Sequence, residues 1–239
     1  MRPRIVVMMS VYNEAQYLDE TIPALIDQTM PDWRALLIDN GSTDASRAIL
    51  TDYAHDDARI SVTGWPTNLL PGVVANRAYA IVRERWPDCR WVLAHGADDL
   101  MDPDYLETVL AATTRHPNAN LIFSPWSFIG GAKPDKRFPD YDPETVHAVH
   151  QLPAWHAVTR DLLDRVGAFN EDIIAADWDW LMRASLTGAL VPYQLDRPYI
   201  ALRVRDGARK TQSEEVHWPR LHAHLCRLAN KPIPAWAKC

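Results

Sequence analysis

Between Trp91 and Leu106 the chain reads WVLAHGADDLMDPDYL, an apolar run that stops at two adjacent acids and restarts with helical spacing. Trp91-Val92-Leu93-Ala94 has the length and composition of a short buried strand, and Pro103 onward that of a helix. Three acids lie between them: Asp98, Asp99 and Asp102. Asp102 is suited to cap the helix, with Pro103 at its first position. Asp98 and Asp99 then have no capping role and stand side by side at the carboxyl end of a strand. Open α/β sheets bind their ligands just beyond such ends. Adjacent carboxylates repel, so the pair is either a solvated acidic turn or shares a cation. A hard cation with oxygen ligands that also grips a phosphate fits it.

Outward from this stretch the pattern repeats. Arg4 to Ser10 (RIVVMMS) and Trp33 to Ile38 (WRALLI) are continuous apolar runs, as expected of strands covered on both faces. Arg59 to Thr63 predicts a third strand and Asn120 to Phe128 a later one. Helices are predicted after Asn13 as N-cap, over Asp44 to Tyr53, Gly72 to Arg85 and Pro103 to Thr114. In the first of these Leu18, Ile22, Leu25 and Ile26 share a face, and Pro23 should kink it or mark a second start. Strand–helix alternation implies a parallel sheet with right-handed crossovers. From Gly130 the stretch GGAKPDKRFPDYDPE is polar and proline-rich, the composition of a mobile loop or lid. Beyond it, Ala154 to Thr159 predicts a strand, Asp161 to Val166 and Trp178 to Leu186 short helices. Strands near Leu190 and Tyr199 and a helix from about Ser213 complete one domain over residues 1–239.

With 239 residues the chain can bury a sizeable core, and 47% hydrophobic with 23% charged residues describes an ordinary globular protein. A net charge of -6 gives no general attraction for nucleic acid or an anionic membrane. Cys89, Cys226 and Cys239 are too few and too scattered for a disulfide framework or a structural zinc site, which favours a reducing compartment. Ile5 to Met9 is too short for a signal-peptide core or a transmembrane segment. A cytoplasmic protein is expected.

Three candidate sites thus fall on strand ends of one sheet: Ser10-Val11-Tyr12-Asn13-Glu14, Asp39-Asn40-Gly41-Ser42-Thr43-Asp44, and Asp98-Asp99. The motifs SVYNE, LLIDNGSTD and ADD, followed by GAFNE (Gly167 to Glu171) and AADWDWLMRA (Ala175 to Ala184), resemble the family-2 glycosyltransferases of GT-A fold. The resemblance covers roughly Ile5 to Arg205. It implies an α/β fold of GT-A type, with a Rossmann-like nucleotide-sugar-binding half (1–125) built on a mostly parallel central sheet. An acceptor-binding half carrying the catalytic base (126–239) would complete it. The implied enzyme is an inverting, hexosyltransferase-like glycosyltransferase that moves one sugar from a nucleotide-diphosphate donor, foremost a UDP-sugar, to an acceptor hydroxyl.

The residues suit the roles the resemblance assigns. Asp39 can accept the imide N–H of uracil or thymine, Tyr12 can cover the face of the base, and Ser10 and Glu14 can bond the base edge or the ribose. Asn76 stands where the family has an asparagine near the donor. Asp98 would contact ribose or cation, and Asp99 would ligate Mn2+ or Mg2+ across the two phosphates. Ser42 and Asp44 read as helix caps. Asp177 matches the catalytic base, with Asp179 and Asp172 as competitors, because Ala176 stands where the family has an acid. Gly96 replaces an aspartate found in many relatives. A late histidine of the family falls near Arg205; if Arg205, Arg203 or Lys210 faces the phosphates, it could share or replace the metal's role, and His217 is another candidate. Trp126, Trp155, Trp178 and Trp180 are candidate walls for an acceptor, although large aromatics are more often core. His147, His150 and His156 read as ordinary surface and core histidines. Two rival readings stay open. One is a sugar-phosphate nucleotidyltransferase, although SVYNE lacks that class's glycine-rich basic loop; the other is a non-catalytic nucleotide- or glycan-binding relative. The acceptor is not legible: glycan, lipid, metabolite, protein and modified nucleic acid all fit.

Overall fold

Ile5, Val6, Val7, Met9 and Val11 are all buried along β1 (Ile5–Val11), so this strand runs through the interior with side chains covered on both faces. The computed structural model describes residues 3–130, 134–145, 152–153, 156–204, 223–224, 226–227 and 229–230. After β1 come α1 (Ala15–Ile26), β2 (Trp33–Asn40), α2 (Ser46–Asp56), β3 (Ile60–Trp65), α3 (Pro71–Arg85) and β4 (Trp91–Gly96). Then follow β5 (Leu100–Met101), α4 (Tyr105–Arg115), β6 (Leu121–Phe123), β7 (Trp126–Ile129) and β8 (Ala157–Thr159). The remaining elements are α5 (Arg160–Val166), α6 (Ala176–Leu186), β9 (Pro192–Gln194) and β10 (Ile200–Arg203).

The main sheet has the order β3-β2-β1-β4-β8-β6-β9, and β5-β10-β7 form a smaller second sheet. β3, β2, β1 and β4 are parallel, as strand–helix alternation requires. β8 runs antiparallel to both β4 and β6. Its first residue, Ala157, pairs with Leu93, and just before it His156 O accepts the Ala94 N–H at 3.2 Å. On one face the sheet buries Leu18, Ile22 and Leu25 of α1, Leu50 of α2 and Tyr105, Leu106 and Val109 of α4. On the other it buries Val74, Ala78 and Val82 of α3, Leu162 and Leu163 of α5, and Trp180 and Leu181 of α6. Each Leu, Ile or Val among them that is removed from water contributes about 1.5–3 kcal/mol. Among the described residues no helix is long and apolar enough to cross a membrane.

Several local expectations give way to longer-range contacts. Asn13 does not cap α1; it adopts a left-handed φ of 55°, and its Oδ1 accepts the Thr43 N–H at 2.7 Å. Asp102 does not cap α4, which begins after Asp104, because Arg197 pairs with both Asp102 and Asp104. Pro23 neither restarts nor splits α1, which runs as one helix to Ile26. The run Asn120 to Phe128 divides at Ser124-Pro125 into β6 and β7, which join different sheets. Nor is the proline-rich stretch after Gly130 an unanchored lid throughout. Phe138 is buried edge-on against Phe123 and Trp126, and Lys136 exchanges backbone hydrogen bonds with Trp126. Most of the helix expected from Ser213 lies outside the described residues.

Candidate active site

Ser10 is exposed although it sits on the central strand. In register it faces Ile38 on β2 and Gly96 on β4, while Val11 faces Asp39, so the three strands end flush. Strand alternation puts Ser10 and Gly96 on the face covered by α3 and α6. Two small residues therefore stand side by side there, Ser10 exposed and Gly96 buried. Asp39 lies to one side of them, on the end of β2, and Asp98 and Asp99 to the other, just past the end of β4.

The loops after β1 and β2 hold each other. Ser42 Oγ accepts the Asn13 N–H at 3.1 Å, Ser46 Oγ the Glu14 N–H at 3.0 Å, and Asp44 the Ala15 N–H at 3.1 Å. Asp44 also accepts the Ser46 N–H at 2.9 Å; it is not the N-cap of α2, which is Ala45, but it ties the first residues of α1 and α2 together. Glu14 is buried at the start of α1, and Tyr12 stays 42% exposed at the rim. Asp39 is buried, with Oδ1 accepting the Ser42 N–H at 3.1 Å and Oδ2 lying 3.6 Å from the Arg47 guanidinium. Gly64 leaves the space that Arg47 fills, since a Cβ there would overlap both Arg47 and the Asp39 carbonyl.

Asp98 and Asp99 are both buried, so they are not a solvated turn. Asp99 Oδ1 accepts the backbone N–H of Arg203 at 3.0 Å, which ties the turn to β10. The Arg203 side chain is held by neighbouring groups. Its Nε donates to Asp98 O at 3.0 Å, Nη2 donates to Glu20 at 2.7 Å, and the guanidinium lies 4.6 Å over the Tyr17 ring. The sequence offers Arg203, with Arg205 and Lys210, as a cation that could share the metal's role if it faced the phosphates; here its guanidinium is engaged by Asp98 O, Glu20 and Tyr17. His95 is buried on β4, and burial pushes its imidazole down to about 4, so it is neutral near pH 7. Among the described residues no group of three His, Cys, Asp or Glu side chains is placed to hold a metal. Two adjacent carboxylates still fit Mg2+ or Mn2+, which takes its other ligands from phosphates and water. Arg205, Lys210 and His217 lie outside the described residues.

Asp177 is half-buried in the first turn of α6. Burial raises its carboxyl above the ordinary range, against the Trp178 N–H and the His156 side chain, which favour the charged form. His156 immediately precedes β8, which pairs with β4. The His156 ring is buried, with Nδ1 2.8 Å from Pro153 O. Asp179, two residues on, is engaged elsewhere: one oxygen takes Arg183 Nε at 2.9 Å, the other His224 Nε2 at 2.7 Å. Asp172 is exposed on the preceding loop. Trp178 and Trp180 are core residues and Trp126 is half-buried, so the first two wall no pocket. Trp155, His147 and His150 lie outside the described residues.

Asn76 does not face the strand ends. Its Nδ2 donates to Phe169 O at 3.0 Å and Glu171 Oε1 at 2.8 Å, and its Oδ1 accepts the Phe169 N–H at 2.8 Å. The amide is committed to the GAFNE loop. Asn40, read from sequence as a turn residue, has a comparable role: its side chain bonds both the N–H and the C=O of Leu69, at 3.0 Å each.

Known proteins resemble this chain in sequence and in fold. An uncharacterized protein of Sinorhizobium fredii, y4gI, is 29% identical over 97% of this chain, which covers 26% of it. A putative teichuronic acid biosynthesis glycosyltransferase of Bacillus subtilis, TuaG, is 31% identical over 46% of this chain and 41% of its own length. The chain therefore spans less than half of either relative. S. aureus TarS (residues 1–349) in complex with UDP-GlcNAc superposes with a TM-score of 0.75 at 21% identity, covering 96% of this chain and 65% of that one. A mannosyltransferase from Pyrobaculum calidifontis in complex with GDP-Man and Mn2+ superposes at 0.63 and 18% identity, covering 96% and 63%. These likenesses give the GT-A fold. The pattern of glycosyl transferase family 2 matches residues 6–186, which take in the strand-end carboxylates, the GAFNE loop and α6, and the chain belongs to that family.

Proposed function

We propose that the protein is an inverting glycosyltransferase that takes a sugar from a UDP-sugar and places it on an acceptor hydroxyl, with Asp177 as general base. The observation that carries this is the exposed Ser10 in mid-sheet, bordered by Asp39 on one side and by Asp98 and Asp99 on the other. A nucleotide laid across these strand ends would give its imide N–H to Asp39 and one face of its base to Tyr12. Ser10 and Glu14 would meet the base edge or ribose, and Asp98 the ribose or cation. Mn2+ or Mg2+ held by Asp99 and Asp98 would offset charge on the departing diphosphate.

The acceptor oxygen attacks the anomeric carbon opposite the leaving group, and its proton passes to the Asp177 carboxylate. The bond from the anomeric carbon to the phosphate oxygen breaks, and its electron pair leaves with UDP. A base with a raised pKa is better matched to that proton than an ordinary carboxylate. TarS in complex with UDP-GlcNAc supports a UDP donor, and the Mn2+ complex of the mannosyltransferase supports the metal.

Nucleoside diphosphate release from a panel of UDP-, GDP- and dTDP-sugars tests this reading, using water or candidate acceptor alcohols. Release of UDP from a UDP-sugar is expected. Pyrophosphate release from UTP and a sugar 1-phosphate would instead show a nucleotidyltransferase, and UDP binding without any turnover a silent relative. Arg203→Lys adds a second check on the site. Lysine cannot reproduce the fork that holds Asp98 O, Glu20 and Tyr17, so UDP affinity in Mn2+ should fall about tenfold by calorimetry.

A further inference from the structure

We propose that Asn76 is a positioning residue for Asp177, the helix α3 acting as a strut between the nucleotide edge of the sheet and the base. This rests on the reading of Asp177 as base. The strut is anchored first at the donor side. Asn40, the residue after Asp39, takes the Leu69 N–H on its Oδ1, and its Nδ2 donates to Leu69 O and to Asn68 Oδ1 at 2.8 Å. The entry to α3 therefore moves with the end of β2.

The other end grips the loop that leads to α6. Gly72, in the first turn of α3, lets the Asn170 carbonyl approach so closely that a Cβ would overlap it. One turn later the Asn76 amide pairs with both the N–H and the C=O of Phe169 and also bonds Glu171. Only a side chain with a donor and an acceptor on one planar group can do this. From the loop the connection passes into α6. The Phe169 ring stacks on Trp180 with centroids 5.4 Å apart, and Trp180 Nε1 donates to Gly167 O at 3.0 Å. Arg183 donates to Ala168 O at 2.7 Å and Val166 O at 3.2 Å while holding Asp179. Asp177 is one turn before Trp180 on the same helix. α6 has no side-chain N-cap of its own, so its first turn depends on this loop for its place.

Asn76→Ala removes the grip, and Asn76→Asp replaces its donor with a charge facing Glu171. In either variant, amide exchange should quicken about tenfold at Phe169 and also through the first turn of α6, with β1 and β2 unchanged. UDP affinity should hold, while turnover in UDP release falls about 100-fold with the donor KM unaltered, as a small displacement of a reacting group does. Adding Asp177→Asn to Asn76→Ala should slow release no further than Asp177→Asn alone. Faster exchange confined to Phe169, or full additivity in the double variant, would overturn the proposal. If Asp177→Asn turns over like the parent, the base assignment fails by itself, and exchange in α6 still decides whether Asn76 holds that helix.

Discussion

Asp177→Asn is expected to slow sugar transfer about 10²–10⁴-fold while leaving UDP binding intact, because a neutral amide of the same shape cannot take the acceptor proton. Its carboxyl is raised by burial, so the parent's rate should fall as pH drops through that raised value. Stability should move the opposite way. A carboxyl whose pKa is higher in the folded than in the unfolded state favours folding at low pH, where it is neutral, and loses that contribution as pH rises through its folded value. Asp177→Asn should therefore melt higher than the parent near about pH 8, with the gap closing toward about pH 4. Thermal melts across that range check the sign. A variant that melts lower than its parent at the alkaline end would mean that the charged carboxylate is well satisfied in the fold.

Asp99→Ala is expected to lower Mn2+-supported UDP affinity about 100-fold or more, since even partners of metal ligands account for 10–100-fold effects. The same change orphans the Arg203 N–H, which Asp99 accepts at 3.0 Å. Asp99→Asn separates the two effects: it keeps an oxygen for that N–H and removes only the charge. Calorimetry of UDP with Mn2+ and with chelator gives the comparison. Parent and both variants should bind alike once the metal is removed. Equal affinity of parent and Asp99→Asn in Mn2+, with chelator having no effect, would assign the turn to ribose alone.

Long apolar runs were readable because a strand buried on both faces has to be apolar throughout; β1, β2 and β4 needed no partner to be recognised. Their ends carried the carboxylates, and parallel pairing made those ends coincide. What escaped was decided by residues far away in the chain. β8 is three residues long, too short to carry a pattern of its own, and it pairs antiparallel with β4. Asn13 and Asp102 are good local caps, yet Thr43 and Arg197 compete successfully for them. Asn76 looked like a donor contact because its sequence surroundings say nothing about Phe169 and Glu171, 93 and 95 positions further on. The sequence preferred Asp177 to Asp179 by position alone, and could not show that Arg183 and His224 engage Asp179.

Arg203 bonds Asp98 across 105 positions and Glu20 across 183. During synthesis the edge formed by β1 and β2 can therefore fold before the turn at Asp98 and Asp99 is tied down, since that tie needs a strand translated long afterwards. Contacts of such span form late. The turn at Asp98 and Asp99 accordingly waits for β10; if it holds the diphosphate as proposed, the nascent chain would gain a place for the base first.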